Sequence, residues 1–143
     1  MPITIHPRPG QILKCDFSEG FKEPEIVKRR PVVVLASFDT RPGLVTVACL
    51  STQEPDPPRD YHMEMQKGML PQLGEFQKDT TWLKGDMVYT VGFHRLDRIR
   101  LGKKDPLTGK RVYFTQRLSR ETMKSVYTCV LHGLKIGHIS RHL

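Results

Sequence analysis

Two runs rich in valine, PVVVLAS (31–37) and LVTVACLS (44–51), are separated only by FDTRPG. Each run is too short for a buried helix, and its β-branched residues fit a pleated, packed surface. The Pro-Gly pair between them reads as a turn, so the two runs predict a central antiparallel hairpin with both faces covered. Once such a hairpin forms, the rest of the chain must supply strands to flank it and something apolar to cover it.

The flanking sequence supplies both. QILKCDF (11–17) alternates, with Leu13, Cys15 and Phe17 on one side and Lys14 and Asp16 on the other, the period of a half-buried strand. DYHMEM (60–65) alternates again, TWLKGDMVYTVGF (81–93) is long and β-prone with a break at Gly85 and Asp86, and PLTGKRVYF (106–114) reads as a turn and strand. One helix is expected, over 119–136, where Met123, Val126, Tyr127, Val130, Leu131 and Leu134 recur at three- and four-residue spacing. Ser119 stands where an N-cap belongs. QEPDPPRD (53–60) and QKGMLPQLGEFQKD (66–79) read as loops. At 143 residues the chain is sized for a single domain, 1–143, with 1–8 as an N-terminal extension. Short uneven strands followed by a terminal helix predict a mainly β fold, a small and strongly bent sheet or barrel with the helix packed on it.

Charge narrows the class of partner. Lys and Arg number 23 against 15 Asp and Glu, a formal charge of +8, which favours polyanions. Cys15, Cys49 and Cys129 lie far apart without a CxxC pair, so neither a zinc site nor a disulfide framework is expected. The opening MPITIHPRPGQ lacks the apolar run of a signal peptide, and no stretch approaches a membrane span. A cytoplasmic protein with no membrane partner and no metal or other cofactor is the expectation.

VKRRPVVVLAS sets Arg29 and Arg30 directly before the first hairpin strand. Proline cannot donate to a sheet ladder and suits a strand's first residue, which places Arg30 at the rim. The arginines are then either solvated gatekeepers of an aggregation-prone strand or donors for an anionic ligand, with Glu23 and Glu25 just upstream. Four of the six histidines lie toward the termini, which leaves His62 and His94 as candidates for a site. Trp82, the single tryptophan, sits inside an apolar strand pattern and is expected in the core, although its ring could stack on a base.

The order PGQILKCDF, EPEIVKRRPVVVLAS, VTVACLSTQ, WLKGDMVYTVGFHRLDRI and a terminal amphipathic helix resembles the PemK/MazF family of toxin-antitoxin ribonucleases, over roughly residues 9 to 136. The resemblance implies a small SH3-like barrel of the CcdB/MazF type with a C-terminal helix. It also implies a homodimer that cuts single-stranded mRNA at short sequences without a metal, is silenced by a cognate antitoxin, and meets DNA only through the toxin-antitoxin complex. On the same grounds Arg30 matches the family's Arg-Pro motif and would engage the scissile phosphate. Ser51, with Thr52 as a one-residue alternative, matches a hydroxyl at a strand end. Lys84 and Asp86 match an Arg-x-Asp pair with acid and base roles, and Glu25 an acidic loop residue. Lys replaces Arg in that pair, and an ammonium can release a proton where a guanidinium effectively cannot. Pro24 stands where some members carry a histidine.

Arg29, His94 and Arg95 complete the candidate RNA contacts. RNA cleavage through the 2′-hydroxyl needs a base, an acid and donors for the phosphoryl oxygens; Arg30 and Ser51 suit the last task, Asp86 and Lys84 the first two. Two other readings use the same scaffold: a CcdB-like inhibitor that poisons DNA gyrase by protein contact, and a non-catalytic DNA- or RNA-binding barrel.

Overall fold

The computed structural model describes residues 2–65, 80–113 and 116–143; the loop expected over 66–79 lies outside them. Among the described residues eight strands are present: β1 (Ile12–Asp16), β2 (Arg29–Ser37), β3 (Leu44–Ser51), β4 (His62–Met65), β5 (Thr81–Gly92), β6 (Leu96–Arg98), β7 (Arg100–Lys104) and β8 (Arg111–Tyr113). Helix α1 (Arg120–Gly133) follows. The first six strands form an antiparallel sheet in the order β4-β5-β3-β2-β1-β6, while β7 and β8 form a separate ribbon. The fold is thus mainly β with one C-terminal α-helix, as expected. The sheet is left open between β4 and β6 among the described residues, so it is barrel-like rather than closed.

β2 and β3 occupy the middle because they are apolar on both faces. Val33, Leu35, Ala48 and Leu50 face α1, where Met123, Val126, Cys129 and Val130 cover them. Val32, Val34, Val47 and Cys49 face the other way, against Cys15, Phe17 and Leu96, with Phe21, Ile26, Met87 and Tyr89 packed at the margin. The helix is pinned to β2 by the Tyr127 hydroxyl, which donates to the Leu35 carbonyl at 2.7 Å. Ser119 caps α1, its Oγ accepting from the Thr122 amide at 3.1 Å.

β6 and β7 fall where the sequence reading expects no strand, β4 and β8 are shorter than the stretches 60–65 and 106–114, and two further boundaries shift for a visible reason. β2 begins at Arg29 rather than at Pro31, because Arg29 and Arg30 already pair with Asp16 and Cys15 of β1. α1 ends at Gly133 rather than at 136, because Lys135 takes a left-handed conformation (φ 62°). The Ile136 amide then reaches back to the Leu131 carbonyl at 2.9 Å and the Lys135 amide to His132 at 3.0 Å. This pairing closes a helix C-terminus, usually around a glycine; with lysine there, the sequence carries no stop signal, and Leu134 is left largely exposed.

Candidate active site

In an antiparallel ladder, residues directly opposite one another project from the same face. Cys15 lies opposite Arg30, and Val32 opposite Cys49 at the end of the β2–β3 ladder; Arg30 is the next residue of β2 on that face and its charge acts on Cys49, two residues before Ser51. Ser51 faces Trp82 on β5, and Trp82 faces Glu64 on β4. The neighbouring row runs Val32, Cys49, Lys84 and His62. Arg30, Ser51, Trp82, Lys84 and His62 therefore share one end of one face, the face turned away from α1.

Asp86 reaches this group through an irregularity in β5. The register with β3 jumps between Ala48, which faces Val88, and Cys49, which faces Lys84, so Gly85, Asp86 and Met87 have no opposite residue and form a bulge. The bulge is pressed between backbones: a Cβ on Gly85 would lie 2.6 Å from the Cys129 carbonyl oxygen of α1 and 2.7 Å from that of Tyr61. Glycine is what allows this approach. The exposed Asp86 carboxylate is close enough to act electrostatically on Lys84, His62, Cys49 and Tyr89.

The protonation preferences follow from partial burial. Desolvation pulls the Lys84 ammonium below the usual lysine range, with Asp86 opposing the shift. Desolvation and then the Lys84 charge push His62 below the ordinary imidazole value. The His62 Nδ1 accepts the Arg59 backbone N–H at 2.9 Å, which leaves Nε2 to carry the proton of the neutral ring. Beneath Arg30, burial raises the Cys15 thiol to about 12 and pushes the Cys49 thiol up as well, against the opposing charge of Arg30.

Arg30 Nε and Trp82 Nε1 are both covered yet have no hydrogen-bond partner. A buried N–H without an acceptor costs about 1–3 kcal/mol, a penalty that an anion or base edge would remove on binding if the side chains covering these atoms shift aside. Ser51 is buried, and its Oγ accepts the Gln53 amide at 3.2 Å, fixing the turn into Thr52. Trp82, expected in the core, is half-buried between Ser51 and Glu64.

The remaining candidates lie apart from Arg30 or are engaged elsewhere. Arg29 projects from the opposite face, with its Nε 3.5 Å from Asp16. Arg95 donates to the carbonyls of Asp16 (3.1 Å) and Glu19 (2.8 Å) and covers the Phe21 ring. His94 is exposed beside it. Glu25 is exposed in the loop before β2, within electrostatic range of Tyr89. His62 was legible only as a surviving histidine; its place opposite Lys84 depends on the β4–β5 register, for which the sequence carries no local signal.

A small, open β-sheet backed by a terminal helix, with cationic and hydroxyl side chains gathered at one end of the face turned away from that helix, defines the class of fold. Residues 8–134 match the family of PemK-like, MazF-like toxins of type II toxin-antitoxin systems, and the chain belongs to that family. An uncharacterized protein of Haemophilus influenzae is 29% identical, covering 97% of this chain and 98% of its own. The uncharacterized protein YifN of Escherichia coli is 27% identical over 94% and 95%. Among solved structures, MazF from Deinococcus radiodurans superposes with a TM-score of 0.60 at 12% identity, covering 92% of this chain and 99% of that one. An endoribonuclease in complex with its cognate antitoxin from a mycobacterial species gives 0.59 at 16% identity, over 91% and 96%. Among the described residues, no helix is long and apolar enough to cross a membrane.

Proposed function

We propose that this protein is the toxin of a toxin-antitoxin pair and acts as a sequence-specific endoribonuclease on single-stranded mRNA. The observation that carries the reading is the covered Arg30 Nε without an acceptor, on the same face and at the same end as Ser51 and Lys84. In this mechanism the 2′-hydroxyl attacks the adjacent phosphorus, the bond to the 5′-oxygen breaks, and a 2′,3′-cyclic phosphate and a 5′-hydroxyl result. Arg30 binds the phosphoryl oxygens and opposes the charge that grows on them, with the Ser51 hydroxyl as a neutral second donor. Asp86 takes the 2′-hydroxyl proton. Lys84 gives a proton to the leaving 5′-oxygen, helped by the desolvation that lowers its affinity for that proton. Glu25, in the loop before β2, and Thr52, directly after Ser51, contact flanking RNA. The protein works in the cytoplasm as a homodimer held silent by its cognate antitoxin, and needs no metal.

The test incubates purified protein with a long single-stranded RNA in EDTA, beside an Arg30→Ala variant, and maps the cut ends. Cuts at a recurring short motif that leave cyclic phosphate and vanish in the variant are expected. A folded wild-type protein that cuts none of a diverse RNA set would exclude the nuclease and favour the protein-binding inhibitor.

A further inference from the structure

The two adjacent arginines serve different surfaces. Arg30 points to the candidate active site, while Arg29 shares a groove of about 360 Å³ on the other side of the rim with Lys14, Arg95 and Arg100. Two carboxylates, Asp16 and Asp97, line the same groove against these four cations. The Arg95 guanidinium donates through Nη1 to two carbonyl oxygens, which orient it without neutralising its charge. Cationic excess therefore remains after the local pairs are made.

Arg100 also begins the β7–β8 ribbon, which carries the excess outward. Lys104, Lys110 and Arg111 are all exposed there, and the carboxylate of the intervening Asp105 accepts the Leu107 amide in the turn at 2.8 Å. Lys104 lies directly opposite Arg111 in the ladder. Like charges in that relation destabilise a two-stranded ribbon, by a few tenths to about 1 kcal/mol, and a bound anion turns the repulsion into attraction. The base of the ribbon is held by Arg98, whose guanidinium lies 4.1 Å over the Tyr113 ring.

We propose that this groove and the β7–β8 ribbon form a second phosphate-binding site, which holds the backbone of the RNA strand beyond the cleaved bond. The proposal rests on the nuclease reading for the identity of its ligand. Continuity favours RNA over an acidic protein: one strand passing Arg30 meets Arg29 on crossing the rim, then Lys14, Arg100 and the ribbon.

The test measures binding of 2′-O-methyl RNA, which lacks the attacking hydroxyl, at about eight and about thirty nucleotides across a salt series. Full-length wild type is compared with Lys14→Ser/Arg100→Ser, with Lys104→Ser/Arg111→Ser, and with the charge-preserving Lys104→Arg/Arg111→Lys. The two serine variants should bind the long RNA roughly tenfold more weakly with a salt slope shallower by about 1–2. Short-RNA binding and cleavage of an unmodified short RNA should persist, and the charge-preserving variant should match wild type. Unchanged long-RNA binding would overturn the proposal, as would equal losses on short and long RNA, which would place the ribbon in the cleavage site. A glutamate-rich peptide that displaces long RNA from wild type but not from the serine variants would reassign the surface to an acidic protein. Length-dependent binding without any cleavage would strike the nuclease reading alone.

Discussion

Gly133 of α1 and Gly85 of β5 touch backbone to backbone: a Cβ on Gly133 would lie 2.6 Å from the Gly85 carbonyl oxygen and 2.8 Å from the Asp86 Cα. The end of the helix therefore sets the shape of the bulge that presents Asp86. Glycine to alanine within a helix normally gains about 0.5–1 kcal/mol, but forcing extra atoms into a packed contact costs about 1–3 kcal/mol. The clash wins. Gly133→Ala should lower the urea midpoint and, because Asp86 moves with the bulge, depress RNA cleavage beyond what the unfolded fraction explains.

Arg30 should separate activity from stability. Its Nε is covered and has no acceptor, so Arg30→Met removes an uncompensated donor as well as a phosphate ligand. Unfolding free energy should stay within about 1 kcal/mol of wild type or rise, while the cleavage rate falls by about 100-fold or more. Paired urea melts and single-turnover kinetics measure both, and a variant that loses stability and activity together would make Arg30 a structural residue.

His62 should leave a mark on the pH dependence of stability. Its folded-state proton affinity lies below the unfolded value, so the unfolded chain binds more protons between the two, and stability rises with pH across that window. The contribution of the neutral ring is complete above about pH 6.5 and is lost as pH falls through the lower folded value. Urea melts from pH 7.5 down to 5 should show this slope, and His62→Gln should flatten it.

Lys84 should mark the alkaline limb of the reaction. Because desolvation lowers its proton affinity, the ammonium form needed by a general acid disappears at a pH below that of an ordinary lysine, and the rate should fall there. Lys84→Arg should remove that limb and lower the rate, since a guanidinium holds its proton. A rate profile with the same alkaline limb in both proteins would take the acid role away from Lys84.

Much of the fold was readable because local and global signals agree in it. The Val-rich hairpin, the alternation in 11–17, and the Ser119 cap with its apolar helical stripe all specify their elements without help from distant residues. Legibility failed where distant pairing decides. The three-residue offset in β5 accompanies the close approach of α1 and Tyr61 to Gly85; the sequence marks a break at Gly85 and Asp86 but not its size or its cause. The positions of Arg30 and Ser51 at a strand start and a strand end could be inferred; that Trp82 and His62 join the same face could not, because it depends on which residues of β3, β4 and β5 lie opposite one another.

The two buried thiols near Arg30 have a further consequence. Cys15 and Cys49 are fully buried, and both hold their protons far above neutral pH. A shielded thiol is a poor target for peroxide and for alkylating reagents, because the thiolate is the reactive form. The floor of the candidate site is therefore slow to react with such reagents while the protein stays folded.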